Sequence, residues 1–400
     1  MDLPTLDQAD LQGKRVLMRA GFDVPIEDGA VHDTTRIDAL VPTMKHILDS
    51  GASLVLMAHQ GRPVGEPNPE FTQKPLVPVL EKILGVTVKF AEKCDGEDAK
   101  ELAATLQPGE VLLLENLRFE KGEKSADESE RDALGKELAS LADVYVNDAF
   151  TNCHRDHASM TSVPKFIGEK YMGFNVQQEV EGLSKVTQNP EHPVTLIISG
   201  LKMETKVPVI EQFLDQGDDI LVGGGVANTM LVASGKDVAK SKVDHDFTEK
   251  GALILEQGLK EDNATIHLPT DGTCSNSPDG EISESSIGSI PADHIMFDIG
   301  PETMESYAEV IANSKTIVWN GPMGMYEVEG FAGGTKALAQ AVRDATAAGA
   351  VSIIGGGDTL DFHERYDYSL DAYTFVSTAG GAMLDFISGK PLPALEALRS

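Results

Sequence analysis

The sequence has few cysteines, few arginines and no apolar run as long as a membrane span. Its 400 residues include 3 cysteines, Cys94, Cys153 and Cys274, which lie far apart and form no CxxC pair. A disulfide framework and a cysteine-based zinc site are therefore not indicated, and a reducing compartment is expected. The first residues contain no basic region followed by an apolar core, so a secretory signal is not predicted. We expect a soluble, cytoplasmic protein.

Positive charge is also scarce, because Lys+Arg 33 stand against Asp+Glu 64 and the formal net charge is −31. Such an excess repels nucleic acid and anionic membrane surfaces, so neither is expected as a partner. The acidic residues are spread along the chain rather than gathered into a tail. This distribution predicts either adaptation to a salt-rich cytoplasm, where counterions screen self-repulsion, or simply an acidic enzyme.

Short apolar runs alternate with amphipathic stretches from one end of the chain to the other. The predicted strands are 15–19, 53–58, 86–90, 111–115, 144–147, 194–199, 220–223, 265–268, 316–320, 351–354 and 374–377, with helices such as 125–141 and 335–348 between them. This alternation predicts an α/β fold of parallel sheets with helical crossovers. The strands are too many for one comfortable domain, so we predict two doubly wound, Rossmann-like domains. An acidic helix and a turn signal over 174–193 mark a hinge between a domain at 1–173 and another at 194–384.

Basic residues follow the predicted strands of the first half. The chain has ten arginines, and half of them lie in these places: Arg19, Arg36, Arg62, Arg118 and Arg155. Ligands of open α/β sheets bind at the carboxyl ends of strands, and the planar guanidinium suits carboxylate and phosphate. We therefore predict a basic cleft that also includes His59. The alternative for any single arginine is an ion pair with one of the many surface acids.

Glycine turns and two lysines follow the strands of the second half. Lys202 and Lys206 are spaced i, i+4 and are predicted on one helix face, where they suit transferring phosphates. The run Gly355-Gly356-Gly357-Asp358-Thr359 indicates a phosphate cradle at a helix N-terminus with an acid for Mg²⁺. Its alternative is a plain strand-to-helix turn capped by Asp358. The chain contains neither GxxxxGK[ST] nor GxGxxG, which argues against a P-loop protein and a dinucleotide-dependent oxidoreductase.

These pieces together closely resemble the phosphoglycerate kinase family over nearly the full length. The matching motifs, in collinear order, are KRVLMR at 14–19, GRP at 61–63, LLENLRF at 113–119, VNDAF at 146–150, IVWNGPMG at 317–324 and SIIGGGDT at 352–359. The resemblance implies Mg²⁺-dependent phosphoryl transfer from 1,3-bisphosphoglycerate to ADP, giving 3-phosphoglycerate and ATP, by hinge closure of a split active site. It also implies that 385–400 return to the first domain. We expect a monomer, with a dimer as the alternative. The acidic composition leads us to expect an archaeal, halophilic member.

The resemblance also implies a role for individual residues. The triose is expected at Asp23, Arg36, His59, Arg62, Arg118 and Arg155. The nucleotide is expected at Lys206, Gly224, Asn320, Glu327, Gly355, Gly356, Gly357, Asp358 and Thr359, with Asp358 as the metal ligand. Arg36, Lys202, Lys206, Gly357 and Gly381 are expected to act on the transferring phosphoryl group.

The chain departs from the family pattern near the triose residues. Gly21 stands where the family has an acid, Asp23 where it has an amide, and Thr151-Asn152-Cys153 replace Gly-Thr-Ala. A change in triose affinity is one reading of these departures. A non-catalytic nucleotide- or anion-binding protein that retains the fold is the alternative to an active kinase.

Overall fold

The computed structural model of the chain describes residues 3–63 and 65–399. They divide into two compact units: the first contains the described residues up to Val180 and those from Pro391 onward, and the second spans Glu181–Lys390. The division falls inside a helix, Phe174–Thr187, in the segment expected to form the hinge. The sequence predicts that the first domain ends at 173 and that the segment returning to it begins at 385. In the structure the first unit ends at Val180 and resumes at Pro391.

The first unit is built on a six-stranded parallel sheet. Its strands and those of a small hairpin are β1 (Arg15–Ala20), β2 (Ile26–Glu27), β3 (Ala30–Val31), β4 (Ser53–Met57), β5 (Val88–Ala91), β6 (Val111–Leu114), β7 (Val144–Asp148) and β8 (Glu169–Met172). The order in the sheet is β5-β6-β4-β1-β7-β8, and β2 pairs only with β3. The central strands β4, β6 and β7 are buried at every residue. Such strands read as continuous apolar runs because helices cover both faces of a parallel sheet.

Helices connect the strands of the first unit. They are α1 (Thr35–Asp38), α2 (Val41–Asp49), α3 (Leu76–Leu84), α4 (Gly96–Ala104), α5 (Glu128–Ala139), α6 (Val163–Phe166) and α7 (Phe174–Thr187). A π-helical segment, Ala158–Ser162, precedes α6. The hydrophobic core of this unit joins β1, β4 and β7 to α2 and α3, for example through Met18, Leu56, Val146, Met44 and Leu80.

The second unit contains another six-stranded parallel sheet and a three-stranded antiparallel sheet. Its strands are β9 (Val194–Ile198), β10 (Asp219–Val222), β11 (Thr265–His267), β12 (Asp271–Ser275), β13 (Ser283–Ser286), β14 (Ile295–Ile299), β15 (Thr316–Asn320), β16 (Val351–Gly355) and β17 (Phe375–Ser377). The parallel order is β11-β10-β9-β15-β16-β17, and the antiparallel order is β13-β12-β14. The prediction of two doubly wound parallel sheets is confirmed. The sequence did not predict β8 or the antiparallel sheet.

The helices of the second unit lie between its strands. They are α8 (Met203–Gln216), α9 (Gly224–Ala233), α10 (Thr248–Gln257), α11 (Pro301–Asn313), α12 (Gly333–Ala347), α13 (Gly357–Arg365) and α14 (Gly381–Ile387). The last helix, α15 (Pro393–Arg399), belongs to the first unit, where the Ala394 amide donates to the Cys153 carbonyl at 3.2 Å. Within the residues that the structure describes, no helix is both long and apolar enough to cross a membrane.

Candidate active site

The carboxyl edge of the first sheet gathers the loops that carry the predicted triose residues. Arg19 pairs in register with Met57 of β4 and with Asn147 of β7, so the loops after these three strands begin side by side. A pocket of about 420 Å³ opens beside them. Its lining includes two predicted residues, Asp23 and Arg36, together with Asp33, Gln60, Glu70 and Phe71.

Asp23 is the centre of a hydrogen-bond network at this edge. One oxygen, Oδ1, accepts from the Gly61 amide at 2.8 Å, and the other, Oδ2, lies 3.5 Å from His59 Nε2 and 3.9 Å from an Arg36 nitrogen. Arg36 also donates to the Asp23 carbonyl at 2.6 Å. Burial alone would raise the pKa of Asp23, but the hydrogen bonds from His59 and Gly61 and the nearby Arg36 charge lower this pKa to about 2. The acid at position 23 is therefore ionised and has partners within the protein.

The three other predicted triose arginines differ in their surroundings. Arg118 is buried, and its guanidinium donates to the Gly61 carbonyl, which ties it to the Asp23 network. Arg155 is exposed and donates to His154 Nε2 at 3.3 Å. Arg62 is exposed and makes no hydrogen bond or ion pair with the residues that the structure describes. The structure thus brings Asp23, Arg36, His59 and Arg118 together and leaves Arg62 and Arg155 on the surface.

The expectation that Arg19 lies open in the basic cleft is wrong. Its side chain is fully buried and its three nitrogens donate to Ser159, to the Ala20 carbonyl and to His59. Arg19 points inward because it stands within β1, whose last five residues are all buried.

Two further groups shape this edge and were not assigned from the sequence. The Gln60 amide accepts from Val24 N at 3.0 Å and donates to Val24 O at 2.6 Å, which fixes the loop after β1. Glu123 is buried and accepts from the Ser159 amide at 2.9 Å and from the Ser159 hydroxyl at 2.6 Å. Gln60 stands between His59 and Gly61, a signal that could have identified it, whereas nothing local distinguishes Glu123 from the many surface acids.

The carboxyl edge of the second parallel sheet carries the predicted nucleotide residues. From the centre of the sheet, the order β9, β10, β11 leads to one edge and the order β15, β16, β17 leads to the other. The strand order therefore reverses between the neighbours β9 and β15. Doubly wound sheets bind ligands at such a switch point. Lys206, in the first turn of the helix after β9, donates to Asn320 Oδ1 at the end of β15. The Asn320 amide in turn donates to the Gly355 carbonyl of β16 at 2.8 Å.

The prediction that Lys202 and Lys206 share a helix face is wrong. Lys202 has extended backbone angles, φ −106° and ψ 112°, and stands at the N-cap of α8, outside the helix. Lys202 is exposed, whereas Lys206 is partly buried. Burial lowers the pKa of Lys206 to about 8, against the opposing effect of the Asp358 carboxylate. The two lysines therefore lie in different environments, although they are four residues apart.

The glycine turn leads directly into a helix, as predicted. Gly356 has φ +103°, and a Cβ there would stand 2.7 Å from Asn320 Nδ2, so both backbone and space require glycine. Helix α13 starts at Gly357, and none of the described side chains caps it. Asp358 is therefore a first-turn residue rather than the N-cap of the alternative interpretation. Asp358 is exposed, while buried Thr359 accepts from the Gly321 amide at 2.9 Å.

The remaining predicted residues also lie at strand ends in the second unit. Gly224 starts α9, but its amide already donates to the Met323 carbonyl at 3.1 Å. Gly381 starts α14 and is exposed. Glu327 is an exposed residue beyond β15. Among the described residues, no group of three or more histidines, cysteines and acids could hold a metal ion.

Comparison with known proteins shows which family the sequence and the fold resemble. The family model described as phosphoglycerate kinase matches residues 6–390. The chain belongs to the phosphoglycerate kinase family. A phosphoglycerate kinase of Chloroherpeton thalassium is 42% identical over 400 residues, which cover 100% of this chain and 99% of that protein. The family resemblance seen in the motifs is thereby confirmed, and the chain is an enzyme and a kinase.

Solved phosphoglycerate kinase structures share the whole fold. The structure of phosphoglycerate kinase from Coxiella burnetii has a TM-score of 0.90 and 34% identity, covering 100% of this chain and 99% of that one. The enzyme from Pyrococcus horikoshii has a TM-score of 0.84 and 31% identity, with coverage of 99% and 98%. The relatives do not support the expectation of an archaeal, halophilic member, because they are mostly bacterial.

Proposed function

We propose that the protein catalyses reversible phosphoryl transfer between 1,3-bisphosphoglycerate and ADP, which gives 3-phosphoglycerate and ATP. The observation that carries the proposal is that each of the two units has a group of charged and polar residues at the carboxyl edge of its parallel sheet, and that the two groups are chemically complementary. The first unit presents a pocket lined by Arg36, with Arg118 bonded to Gly61 of the same lining. The second unit presents Lys206, which bonds to Asn320 next to a glycine turn. Full-length similarity to the family supports the same reaction.

The triose would occupy the pocket of the first unit. Arg62, Arg118 and Arg155 would bind its phosphate, and Arg36 would neutralise the acyl-phosphate end. Asp23 can accept a hydrogen bond from the hydroxyl of the glycerate. Its negative charge is already stabilised by the Gly61 amide, by neutral His59 and by the positive charge of Arg36. The acid in place of the family's amide is therefore compatible with an anionic substrate.

The nucleotide would bind along the second sheet edge. The amides in the first turns of α13 and α14, which include those of Gly357 and Gly381, would face its phosphates, supported by Gly355, Gly356 and Thr359. Lys206 would leave Asn320 and follow the transferring phosphoryl group, assisted by Lys202. Glu327 and the region of Gly224 would contact the ribose and the base.

Asp358 fits the magnesium ion that accompanies the nucleotide. Mg²⁺ is usually held by one or two carboxylates, substrate phosphates and water rather than by an all-protein cage. An exposed carboxylate in the first turn of α13, electrostatically coupled to Lys206, meets that requirement. When bound, the ion neutralises charge on the phosphates.

The chemistry needs no acid–base pair from the protein. The leaving group of the acyl phosphate is a carboxylate, a weak base that departs without a proton. Phosphoryl transfer therefore depends on positioning and on neutralisation of charge. His59 agrees with this scheme, because burial lowers its pKa to about 4 and the imidazole is neutral at physiological pH.

Transfer between two units requires their sites to meet, so the proposal includes hinge closure across α7. We also propose that the enzyme is cytoplasmic and monomeric and that its acidic composition is adapted to high salt. Small-angle scattering should show a smaller radius of gyration with both substrates bound than with either alone. Light scattering measures the molar mass in solution, and a mass twice that of one chain would contradict the proposed monomer.

The decisive test is an assay of purified protein with MgATP and 3-phosphoglycerate, coupled to a dehydrogenase that consumes the acyl phosphate. We expect oxidation of NADH, and Arg36→Ala should reduce turnover by roughly a hundredfold or more with little change in nucleotide affinity. Arg365→Ala, on α13 and outside both groups, is the control. Binding of MgATP without any turnover by the wild-type protein would favour the non-catalytic alternative.

A further inference from the structure

Arg19 is the one fully buried arginine among the five that follow the first-half strands. Its Nε donates to Ser159 Oγ at 3.0 Å, one terminal nitrogen donates to the Ala20 carbonyl, and the other lies 2.9 Å from His59 Nδ1. Every nitrogen of the guanidinium thus has a partner within the protein. The side chain is also fully buried and does not line the pocket, so its effect on the site must pass through a neighbour.

The contact with His59 fixes the proton on the imidazole. A guanidinium can only donate hydrogen bonds, so His59 Nδ1 must be the acceptor at 2.9 Å. A neutral imidazole carries one proton, which is then on Nε2, and Nε2 faces Asp23 Oδ2 at 3.5 Å. The pKa of His59, lowered mainly by burial and further by the Arg19 and Arg118 charges, agrees with a neutral ring.

We propose that Arg19 is a positioning residue that holds His59 as its Nε2–H tautomer, so that His59 donates to Asp23 and keeps that carboxylate aimed at the triose pocket. The inference rests on the proposed function, because it assigns the triose to this pocket. It differs from a substrate-binding role for Arg19, since the residue acts two steps from the ligand.

Ser159 and buried Glu123 hold the Arg19 side chain in place. Ser159 accepts from Arg19 Nε and donates its own hydroxyl proton to Glu123 Oε1 at 2.6 Å. Burial raises the pKa of Glu123, while the Arg19 charge and the Ser159 hydrogen bonds oppose this effect. The Tyr145 hydroxyl donates to the Ser159 carbonyl at 3.0 Å, which anchors the backbone at this point. The Arg19 guanidinium is therefore held by Ser159 on one side and contacts His59 on the other.

The backbone that carries Ser159 has an unusual conformation. Ser159 lies in the π-helical segment Ala158–Ser162, and such segments are rare and often occur at functional sites. Gly135 of α5 packs against this segment, where a Cβ would stand 2.5 Å from Ser162 Cβ. From this segment Ser159 contacts Arg19 of β1 and Tyr145 of β7.

The tautomer can be measured directly on the wild-type protein. Nitrogen NMR of ¹⁵N-histidine-labelled enzyme at neutral pH, with His59 assigned by loss of its signals in His59→Gln, distinguishes the two neutral tautomers from the imidazolium. We expect an unprotonated Nδ1 and a protonated Nε2 before any substrate is added. A proton on Nδ1, or on both nitrogens, would overturn the proposal.

Arg19→Lys and Ser159→Ala test the consequence for the substrate. A lysine keeps the charge but cannot reach three partners at once, so His59 should populate both tautomers. The KM for 3-phosphoglycerate should rise roughly tenfold with an unchanged KM for MgATP, because a hydrogen bond to a charged group is lost. Ser159→Ala should produce a smaller shift in the same direction and serves if Arg19→Lys does not fold. Arg15→Lys is the control, because Arg15 lies on the same strand but pairs with exposed Asp143 at 2.9 Å. This variant should change neither the His59 tautomer nor the KM for 3-phosphoglycerate.

The two proposals fail in different ways. If the wild-type protein shows no kinase activity, the proposed function fails, while the NMR result still reports the tautomer. If Arg19→Lys raises the KM for 3-phosphoglycerate but His59 retains its tautomer, Arg19 acts on the substrate by another route and the positioning role is refuted. An unchanged KM in a folded Arg19→Lys protein would refute it as well.

Discussion

Lys206 shows how a single functional residue can reduce stability. Its ammonium group is partly buried and bonds to a neutral amide, Asn320, rather than to a carboxylate. Burial lowers its pKa from 10.5 to about 8, which means that the folded state holds the proton less tightly than the unfolded chain. The charged form therefore costs free energy until nucleotide phosphates arrive.

We predict that Lys206→Met stabilises the nucleotide-free protein while abolishing turnover. The cost of the charge is fully present below about pH 8 and disappears as the pH rises toward 10.5. Urea unfolding should show a gain of about 2 kcal/mol at neutral pH that shrinks above pH 8. A gain that does not depend on pH would indicate improved packing rather than removal of a buried charge.

Gly356 allows a second test at the residue scale. Gly356→Ala strains a φ of +103° and brings a Cβ within 2.7 Å of Asn320, whereas Gly349 has φ +108° and nothing within 4 Å. Both alanine variants should lose about 1–2 kcal/mol of stability through the backbone. Only Gly356→Ala should also weaken ATP binding, measured by calorimetry. Equal affinities in the two variants would contradict a role of this turn in phosphate binding.

The positions of functional residues could be predicted where they depend on a local sequence pattern. The turn at 355–359 and the position of Arg36 at the start of a helix follow from glycine, strand ends and charge, and the structure places them as expected. The burial of Arg19 was not predictable, because its partners Ser159 and Glu123 come from distant parts of the chain. Only the folded packing shows that these side chains meet.

Among the elements, α7 is anchored at its first turn by side chains that are distant in sequence. It carries the division between the two units, and its first turn is bound by a residue from the end of β7. Asp148 Oδ1 accepts from the Asn175 amide at 2.9 Å and from the Val176 amide at 3.1 Å. The Thr43 hydroxyl accepts from the Phe174 amide at 2.9 Å. Residues distant in sequence thus satisfy amides that a local N-cap would otherwise bind.

We predict that Asp148→Ala costs about 2–3 kcal/mol in the free energy of unfolding, because two amides lose their acceptor in a buried place. Asp127→Ala is the matched control, since Asp127 caps α5 at the surface by accepting from Ser129 at 2.8 Å. Its loss should cost about 1 kcal/mol. Equal costs in thermal or urea unfolding would show that burial of the Asp148 cap adds nothing.

The sequence predicted every strand of the two parallel sheets except β8, because buried strands are continuous apolar runs. It missed β8, which is an edge strand with one buried residue, and the antiparallel strands β12 and β13, which consist largely of Asp, Thr, Ser and Glu. Strands of this kind are held by pairing with their neighbours rather than by an apolar pattern. Their existence is a property of the assembled fold.

At the scale of the whole molecule, the net charge of −31 is the dominant property. Self-repulsion of this size weakens the compact state at low ionic strength, and mobile ions screen it. We predict that stability and kcat rise as KCl increases from about 0.1 M to about 2 M. Sorbitol at matched osmolality, which screens no charge, is the control. Absence of any gain in KCl would exclude adaptation to salt.

The return of α15 to the first unit affects the order in which the protein can fold during translation. The ribosome completes the second unit before it makes the helix Pro393–Arg399, whose start bonds to Cys153 in the first unit. Domains fold as units during synthesis, and the first unit stays incomplete until α15 emerges. The nascent chain therefore carries a finished second unit between two separated parts of the first.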